Sequence, residues 1–205
     1  MKNIFLLLAY FVINIIATMY FIEGNFIVGI LINATFIIIL FRFLKIKKQE
    51  LLDFKKNFTD YIRKVFIYAF IGMAFMITSN ILISILLPGT VSSNDAAVRE
   101  LITSSIILMS INVAIIVPIL EELVFRGLIR KMVTSKVLFL TISTLLFSSI
   151  HVLGGAAKWN DLMLLIPYAG VSFMFAYAYL KTNNIYVPIS MHILHNSIAL
   201  LAFLT

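Results

Sequence analysis

The feature that most restricts this chain is the recurrence of apolar runs about 20 residues long, the length at which a helix crosses a hydrocarbon core of roughly 30 Å. They fall at Ile4 to Phe21, Phe26 to Phe41, Val65 to Leu87, Leu101 to Leu120 with an extension beyond it, Val137 to Leu153, Leu162 to Leu180 and Ile185 to Leu204. In lipid every backbone donor and acceptor must be satisfied within the segment, so each run is expected to be a helix. The pattern predicts an all-α, polytopic transmembrane bundle of about seven spans forming a single domain, 1–205, in a cell membrane. Composition points the same way. The chain is 62% hydrophobic and 12% charged, with a mean hydropathy of +1.08, whereas a water-soluble domain carries roughly twice that charged share. The first run follows Lys2 and has no convincing small-residue cleavage site, so it reads as a retained helix and not a signal peptide.

The net charge of +7 would suggest nucleic acid in a soluble protein. Here the cations lie between the apolar runs, where the positive-inside rule places them, and no nucleic-acid partner is expected. Arg42, Lys45, Lys47, Lys48, Lys55, Lys56, Arg63 and Lys64 separate the second and third runs, and Arg130, Lys131 and Lys136 separate the fourth and fifth. Both connections should be cytoplasmic. Glu23 to Asn25, Pro88 to Glu100 and Gly154 to Asp161 are poor in cations and rich in turn formers, as outward-facing connections are. This puts the N-terminus inside and the C-terminus outside. Leu51, Leu52, Phe54 and Phe58 among the cations fit either an amphipathic helix on the anionic inner leaflet or an ordinary cytoplasmic loop. The chain has no cysteine, which excludes disulfides, thiolate zinc sites and cysteine nucleophiles.

Ionisable side chains inside a membrane span cost a few kcal/mol each by insertion scales, so they mark function by default. They occur in three places. In Glu121-Glu122-Leu123-Val124-Phe125-Arg126-Gly127, Glu122 and Arg126 share a helical face in the favourable Glu-before-Arg order. Glu121 is rotated about 100° away, without that partner, and so is the better candidate for proton transfer. The second place is Phe147-Ser148-Ser149-Ile150-His151. The third is His192-Ile193-Leu194-His195-Asn196, with His192 and Asn196 on one face and His195 without an assigned role. At ~1.5 Å per residue, Glu121 lies roughly 15 Å from Lys131, His151 roughly 22 Å from Lys136, and His192 to Asn196 roughly 17 to 22 Å from Lys181. Three helices thus bring polar groups to comparable depth. As packing devices they would be a Glu-Arg pair and histidines bonded to neighbouring carbonyls; as a set they suggest one site.

Glu121-Glu122-x-x-x-Arg126, Phe147-x-x-x-His151 and His192-x-x-x-Asn196 resemble the three ordered motifs of the CPBP family, which comprises CAAX proteases, bacteriocin-processing enzymes and the proteins called Abi. The resemblance covers a motif-bearing core of approximately 101–205, and Phe125-Arg126-Gly127 strengthens it. It implies an intramembrane endopeptidase acting on a membrane peptide or protein. In that pattern Glu121 and His151 activate a water, His192 and Asn196 stabilise the oxyanion, and Glu122, Arg126 and Phe147 support the site. Eukaryotic relatives trim prenylated CAAX proteins. This short Ile-, Asn- and Lys-rich chain looks bacterial, where members are linked to peptide pheromone or bacteriocin maturation and to self-immunity.

The residues also permit zinc, since Glu121, His151 and His192 make a Glu plus two His set that could leave a position for water. No two of them form a compact His-x-x-x-His pair and Asn196 suits an oxyanion better than a metal, so no cofactor is the favoured expectation and zinc the alternative. A non-enzymatic scaffold or immunity factor is the competing class. A small transporter predicts an internal repeat, and none is visible.

The orientation has a direct test. Single cysteines introduced between Arg42 and Lys64 should escape a membrane-impermeant maleimide in intact cells and react in inverted vesicles; labelling from outside would reverse the assignment.

Overall fold

The computed structural model describes residues 2–46, 48–156 and 158–205; Lys47 of the basic stretch and Ala157 of the Gly154 to Asp161 connection lie outside the described residues. The described residues form helices without strands. They are α1 (Lys2–Ile22), α2 (Phe26–Leu44), α3 (Lys48–Lys56), α4 (Phe58–Leu86) and α5 (Ser93–Ser104). Next come α6 (Ile106–Met132), α7 (Lys136–Val152), a 3-10 turn (Trp159–Leu164) leading into α8 (Leu165–Thr182), and α9 (Tyr186–Leu204). Six of these elements are long and apolar enough to cross a membrane. α7, at 17 residues, is roughly 26 Å long and falls just below that criterion. Six spans and this shorter apolar helix are consistent with the expected number of about seven.

Large apolar side chains point outward, as the solvent for this surface requires: Phe5, Phe70, Leu86 and Ile107 are each more than 70% exposed. The main core lies between α1, α2, α6, α7, α8 and α9, around Tyr10, Leu40, Leu123, Phe125, Leu128, Phe139 and Phe147. α6 and α2 approach closely at Gly127, where a Cβ would come within 2.6 Å of a Leu44 methyl and displace that side chain.

Two boundaries differ from the hydropathy reading, and the expected extension beyond Leu120 is present. α4 starts at Phe58 and not Val65, its polar first turns, which carry a Lys64–Asp60 ion pair of 2.6 Å, lying outside the apolar run that hydropathy marks. Leu101 belongs to α5, and the chain breaks at Ser105 (φ −155°, ψ 86°). Just before the break, the Thr103 and Ser104 hydroxyls donate to the Glu100 and Leu101 carbonyls, competing with the helix ladder. The following helix then runs unbroken past Leu120 to Met132, so Glu121 to Gly127 sit in its interior.

Arg42, Lys45, Lys48, Lys55, Lys56, Arg63, Lys64, Arg130, Lys131, Lys136 and Lys181 gather at one end of the bundle, whereas Arg99 and Lys158 lie at the other. Lys131 Nζ donates to the Leu44 carbonyl at 2.6 Å, joining the ends of α6 and α2. α3 is a helix docked on the bundle and not an irregular loop. Asn184, ahead of α9, donates to the Glu50 carbonyl (2.8 Å) and to Asp53 Oδ2 (3.2 Å), and the Tyr61 hydroxyl donates to the same oxygen at 2.7 Å. Leu52 and Phe58 remain half-exposed beside Lys55 and Lys56, as on an interfacial helix.

The Tyr61 hydroxyl first, then the Asn184 amide, hold the Asp53 carboxyl below its ordinary value of 3.8. A carboxyl lowered in the docked state stabilises docking above the ordinary value and loses that contribution as pH falls through the lowered one. Amide-exchange protection of α3 should therefore be level from neutrality down to 3.8 and fall below it. Asp53→Asn should weaken protection at neutrality and abolish the acid step; an unchanged acid profile would mean that this carboxyl does not hold α3.

Candidate active site

The site begins with irregular backbone in α6. Asn112–Ile116 and Leu123–Leu128 are π-helical turns, with Glu121 and Glu122 on the short α-helical piece between them. Pro118 accounts for the first. Lacking an N–H, it cannot bond the carbonyl five residues back in the π register, and that carbonyl is Val113. Asn196 of α9 supplies the missing donor, its Nδ2 lying 2.9 Å from Val113 O. One N–H of the Asn196 amide is thereby committed and the second remains for another acceptor. In the second π turn, Ser143 of α7 donates to the Phe125 carbonyl at 2.8 Å.

On this scaffold Glu122 and Arg126 form the expected pair, with Arg126 Nε 3.1 Å from Glu122 Oε2 and both side chains fully buried. The other Glu122 oxygen is 2.9 Å from His192 Nδ1. A carboxylate accepts, so Nδ1 is the donor and Nε2 of the neutral ring is an acceptor. Arg126 Nη2 donates to the Ser172 carbonyl and hydroxyl at 2.9 and 3.0 Å. Its Nε contact is an ion pair without hydrogen-bond alignment, and Nη1 has no hydrogen-bond partner among the described residues. The guanidinium instead lies over Phe147 (4.9 Å) and Phe175 (5.5 Å), whose ring faces attract a cation. The same two rings contact His192, at 5.6 and 4.9 Å.

Glu121 faces two imidazoles. Its Oε1 is 3.9 Å from His151 Nε2 and its Oε2 is 3.7 Å from His192 Nε2. Both separations exceed a direct hydrogen bond and are spans that a water can bridge. Glu121 Oε2 is buried without a hydrogen-bond partner among the described residues. His151 is fixed from behind, its Nδ1 2.8 Å from the Phe147 carbonyl and its ring stacked on Phe147 at 4.4 Å. A carbonyl can only accept, so Nδ1 donates and Nε2 presents a lone pair toward Glu121.

The structure thus brings Glu121, Glu122, Arg126, Phe147, His151 and His192 together and places Asn196 against the adjoining π turn. His195, given no role above, packs edge-on to Phe175 at 6.2 Å. Among the described residues no group of three His, Cys, Asp or Glu side chains could hold a metal ion, the Glu121, His151 and His192 set included. Sequence reading overlooked Pro118, Ser143, Ser172 and Phe175. A proline inside an apolar run was the one available signal; the others have no pattern that separates them from ordinary helix residues.

These features define a multi-pass membrane protein with a carboxylate–histidine centre buried among its helices. Residues 103–198 match the family described as Type II CAAX prenyl endopeptidase Rce1-like. The chain is 30% identical over 180 residues to the membrane-embedded CAAX protease MroQ of Staphylococcus aureus, covering 81% of this chain and 68% of that one. It is 34% identical over 112 residues to YdiL of Bacillus subtilis (53% and 42% covered) and 37% identical over 86 residues to the UPF0177 protein YxdF of Lactococcus lactis (42% and 43% covered). It therefore spans less than half the length of the last two. No solved structure matches it. The chain belongs to the CPBP family of CAAX-type intramembrane proteases.

The buried pair generates a stability test. Glu122→Gln or Arg126→Met alone leaves a buried charge uncompensated and should cost about 3 to 5 kcal/mol. The double variant should recover part of that loss in thermal unfolding of the detergent-solubilised protein. Strict additivity of the two changes would show that the side chains do not interact.

Proposed function

We propose that this protein is an intramembrane endopeptidase that hydrolyses a peptide bond of a membrane-associated peptide or protein through a glutamate-activated water, with the catalytic core in approximately 101–205. The observation that carries the reading is the Glu121 carboxylate facing both imidazole Nε2 atoms at 3.9 and 3.7 Å, deep among apolar helices. A water between Glu121 and His151 has two acceptors that align it and draw off its proton. Its oxygen attacks the carbonyl carbon, and the proton passes to Glu121. The second Asn196 N–H and, when protonated, His192 Nε2 donate to the oxyanion. Glu121 then returns the proton to the leaving nitrogen as the C–N bond breaks.

Charge balance supports this assignment. Glu121, Glu122 and Arg126 together leave one uncompensated negative charge, which one proton shared among Glu121, His151 and His192 neutralises. An unbalanced charge is costly in such a site, so that proton stays within the group and, on His192, is available to the oxyanion, while the amine receives the proton taken from the water. Glu122, Arg126 and Phe147 orient His192 and His151 without touching substrate. The name of the matched family, a prenyl endopeptidase, and that of the Staphylococcus aureus relative, a CAAX protease, support a lipid-anchored or membrane-embedded peptide as substrate. Metal-free chemistry is the favoured version of this reading, on the strength of the Asn196 amide beside the site, which suits an oxyanion better than a metal.

With a quenched-fluorescent prenylated CAAX peptide as probe, Glu121→Gln should lower cleavage by at least ~100-fold while thermal unfolding is unchanged, and His151→Ala should behave similarly. Asn196→Ala should lower kcat by roughly 100-fold with little change in KM, compared at matched folding because it also strands the Val113 carbonyl. Stoichiometric zinc that tracks with activity in elemental analysis would replace the glutamate mechanism with a metal one. Full biological function in the Glu121→Gln and His151→Ala variants would establish a non-enzymatic scaffold or immunity factor instead.

A further inference from the structure

His151 is the penultimate residue of α7 and the most exposed of the ionisable site side chains, at 15%. A helix end restrains a side chain weakly, yet Nε2 must point at Glu121. The bond from Nδ1 to the Phe147 carbonyl pins one edge of the ring, and Phe147 covers one face. A second ring also lies against the imidazole. Tyr168, in the first turn of α8, has its centroid 5.0 Å away and its plane tilted by 31°.

Tyr168 is itself clamped from outside the bundle. Its hydroxyl donates to Asp95 Oδ1 at 2.7 Å, lies 2.9 Å from Ser92 Oγ, and accepts from Asn94 Nδ2 at 3.4 Å. One donor and two acceptor positions exhaust a phenol, so the Ser92 hydroxyl must donate to Tyr168. Ser92 Oγ in turn accepts from the Asp95 backbone N–H at 3.1 Å as the N-cap of α5. The same end of α5 rests on Gly155, just past α7, where any Cβ would collide with the Ser93 hydroxyl. α5 is bounded by Gly89 at φ +85° on one side and the break at Ser105 on the other. Its placement thus rests on contacts such as these and not on continuity with a neighbouring helix.

We propose that Tyr168 is a positioning residue that holds the His151 ring toward Glu121, and that the Ser92–Asp95 turn of α5 is the anchor that holds Tyr168. The consequence for the reaction rests on the protease reading above; the positioning itself does not. The outer connection between α4 and α5 is then coupled to the geometry of the water-activating pair, and loosening it misaligns His151 without removing a group that touches substrate.

The chain has three histidines, so selective 13C/15N-histidine labelling of the full protein in detergent gives a small set of side-chain resonances that reads His151 without any substrate. Tyr168→Leu removes ring and hydroxyl and should shift the His151 ring resonances while leaving those of His192 in place. Tyr168→Phe keeps the ring and loses the clamp, and Asp95→Asn weakens it; both should produce smaller shifts in the same direction, and both serve if Tyr168→Leu fails to fold. With the prenylated CAAX peptide, kcat should fall by about 100-fold in Tyr168→Leu and less in Tyr168→Phe, with KM unchanged. Unmoved His151 resonances in the folded variants overturn the proposal. Moved resonances with kcat retained, or a change confined to KM, overturn its catalytic consequence. A wild-type protein that cleaves no peptide refutes the protease reading alone, because the resonances still decide whether Tyr168 holds His151.

Discussion

A guanidinium with no exposed surface, surrounded by helices whose outer faces meet lipid, constrains everything else in this fold. Arg126 meets Glu122 one turn away with its charge, the carbonyl and hydroxyl of Ser172 on α8 with its Nη2 donors, and Phe147 on α7 and Phe175 on α8 with its faces. Glu122 extends the network to His192 on α9. One charge therefore sets the rotation of four helices about their own axes. Apolar packing against lipid could not do this, because a lipid-facing and a helix-facing leucine differ little in energy. Breaking any member leaves a charge or a donor uncompensated in low dielectric, which is why the network specifies one arrangement.

Pairing Glu122 so completely is what leaves Glu121 available. The two carboxylates are adjacent in sequence yet point to different neighbours: Glu122 meets a cation and an imidazole donor, whereas Glu121 meets two imidazole nitrogens at water-bridging distance. Similar chemical groups acquire different roles from their surroundings. The histidines are oriented by acceptors on their far sides, the Phe147 carbonyl for His151 and Glu122 for His192, so both turn Nε2 toward Glu121.

The backbone of α6 takes part as well. Pro118 leaves a carbonyl without its partner, and in a membrane such a group must be answered from another helix. Asn196 answers it, so the irregularity that a proline introduces also fixes the amide beside the site. π turns on either side of the Glu pair let two consecutive residues turn their side chains to useful positions within an otherwise ordinary span. At the outer edge, Tyr168 and the start of α5 extend the same logic to a connection between spans.

The sequence by itself determined the solvent, the helical class, the approximate number of spans and the Glu122–Arg126 pair, because each depends on local composition or on a fixed i, i+4 spacing. Equal depth on three helices and the order of the motifs also made Glu121, His151 and His192 recognisable as a group. Depth along an axis is arithmetic on residue number, but rotation about it is not. The tertiary structure alone decided that Glu122 and not Glu121 bonds His192, that Ser172 and Phe175 complete the Arg126 cage, and that Asn196 meets Val113. It likewise decided that Tyr168 packs on His151 and that the chain breaks at Ser105. These are contacts between helices or departures from regular backbone, and hydropathy along one chain carries no signal for them, since it does not record which neighbouring helix a side chain faces.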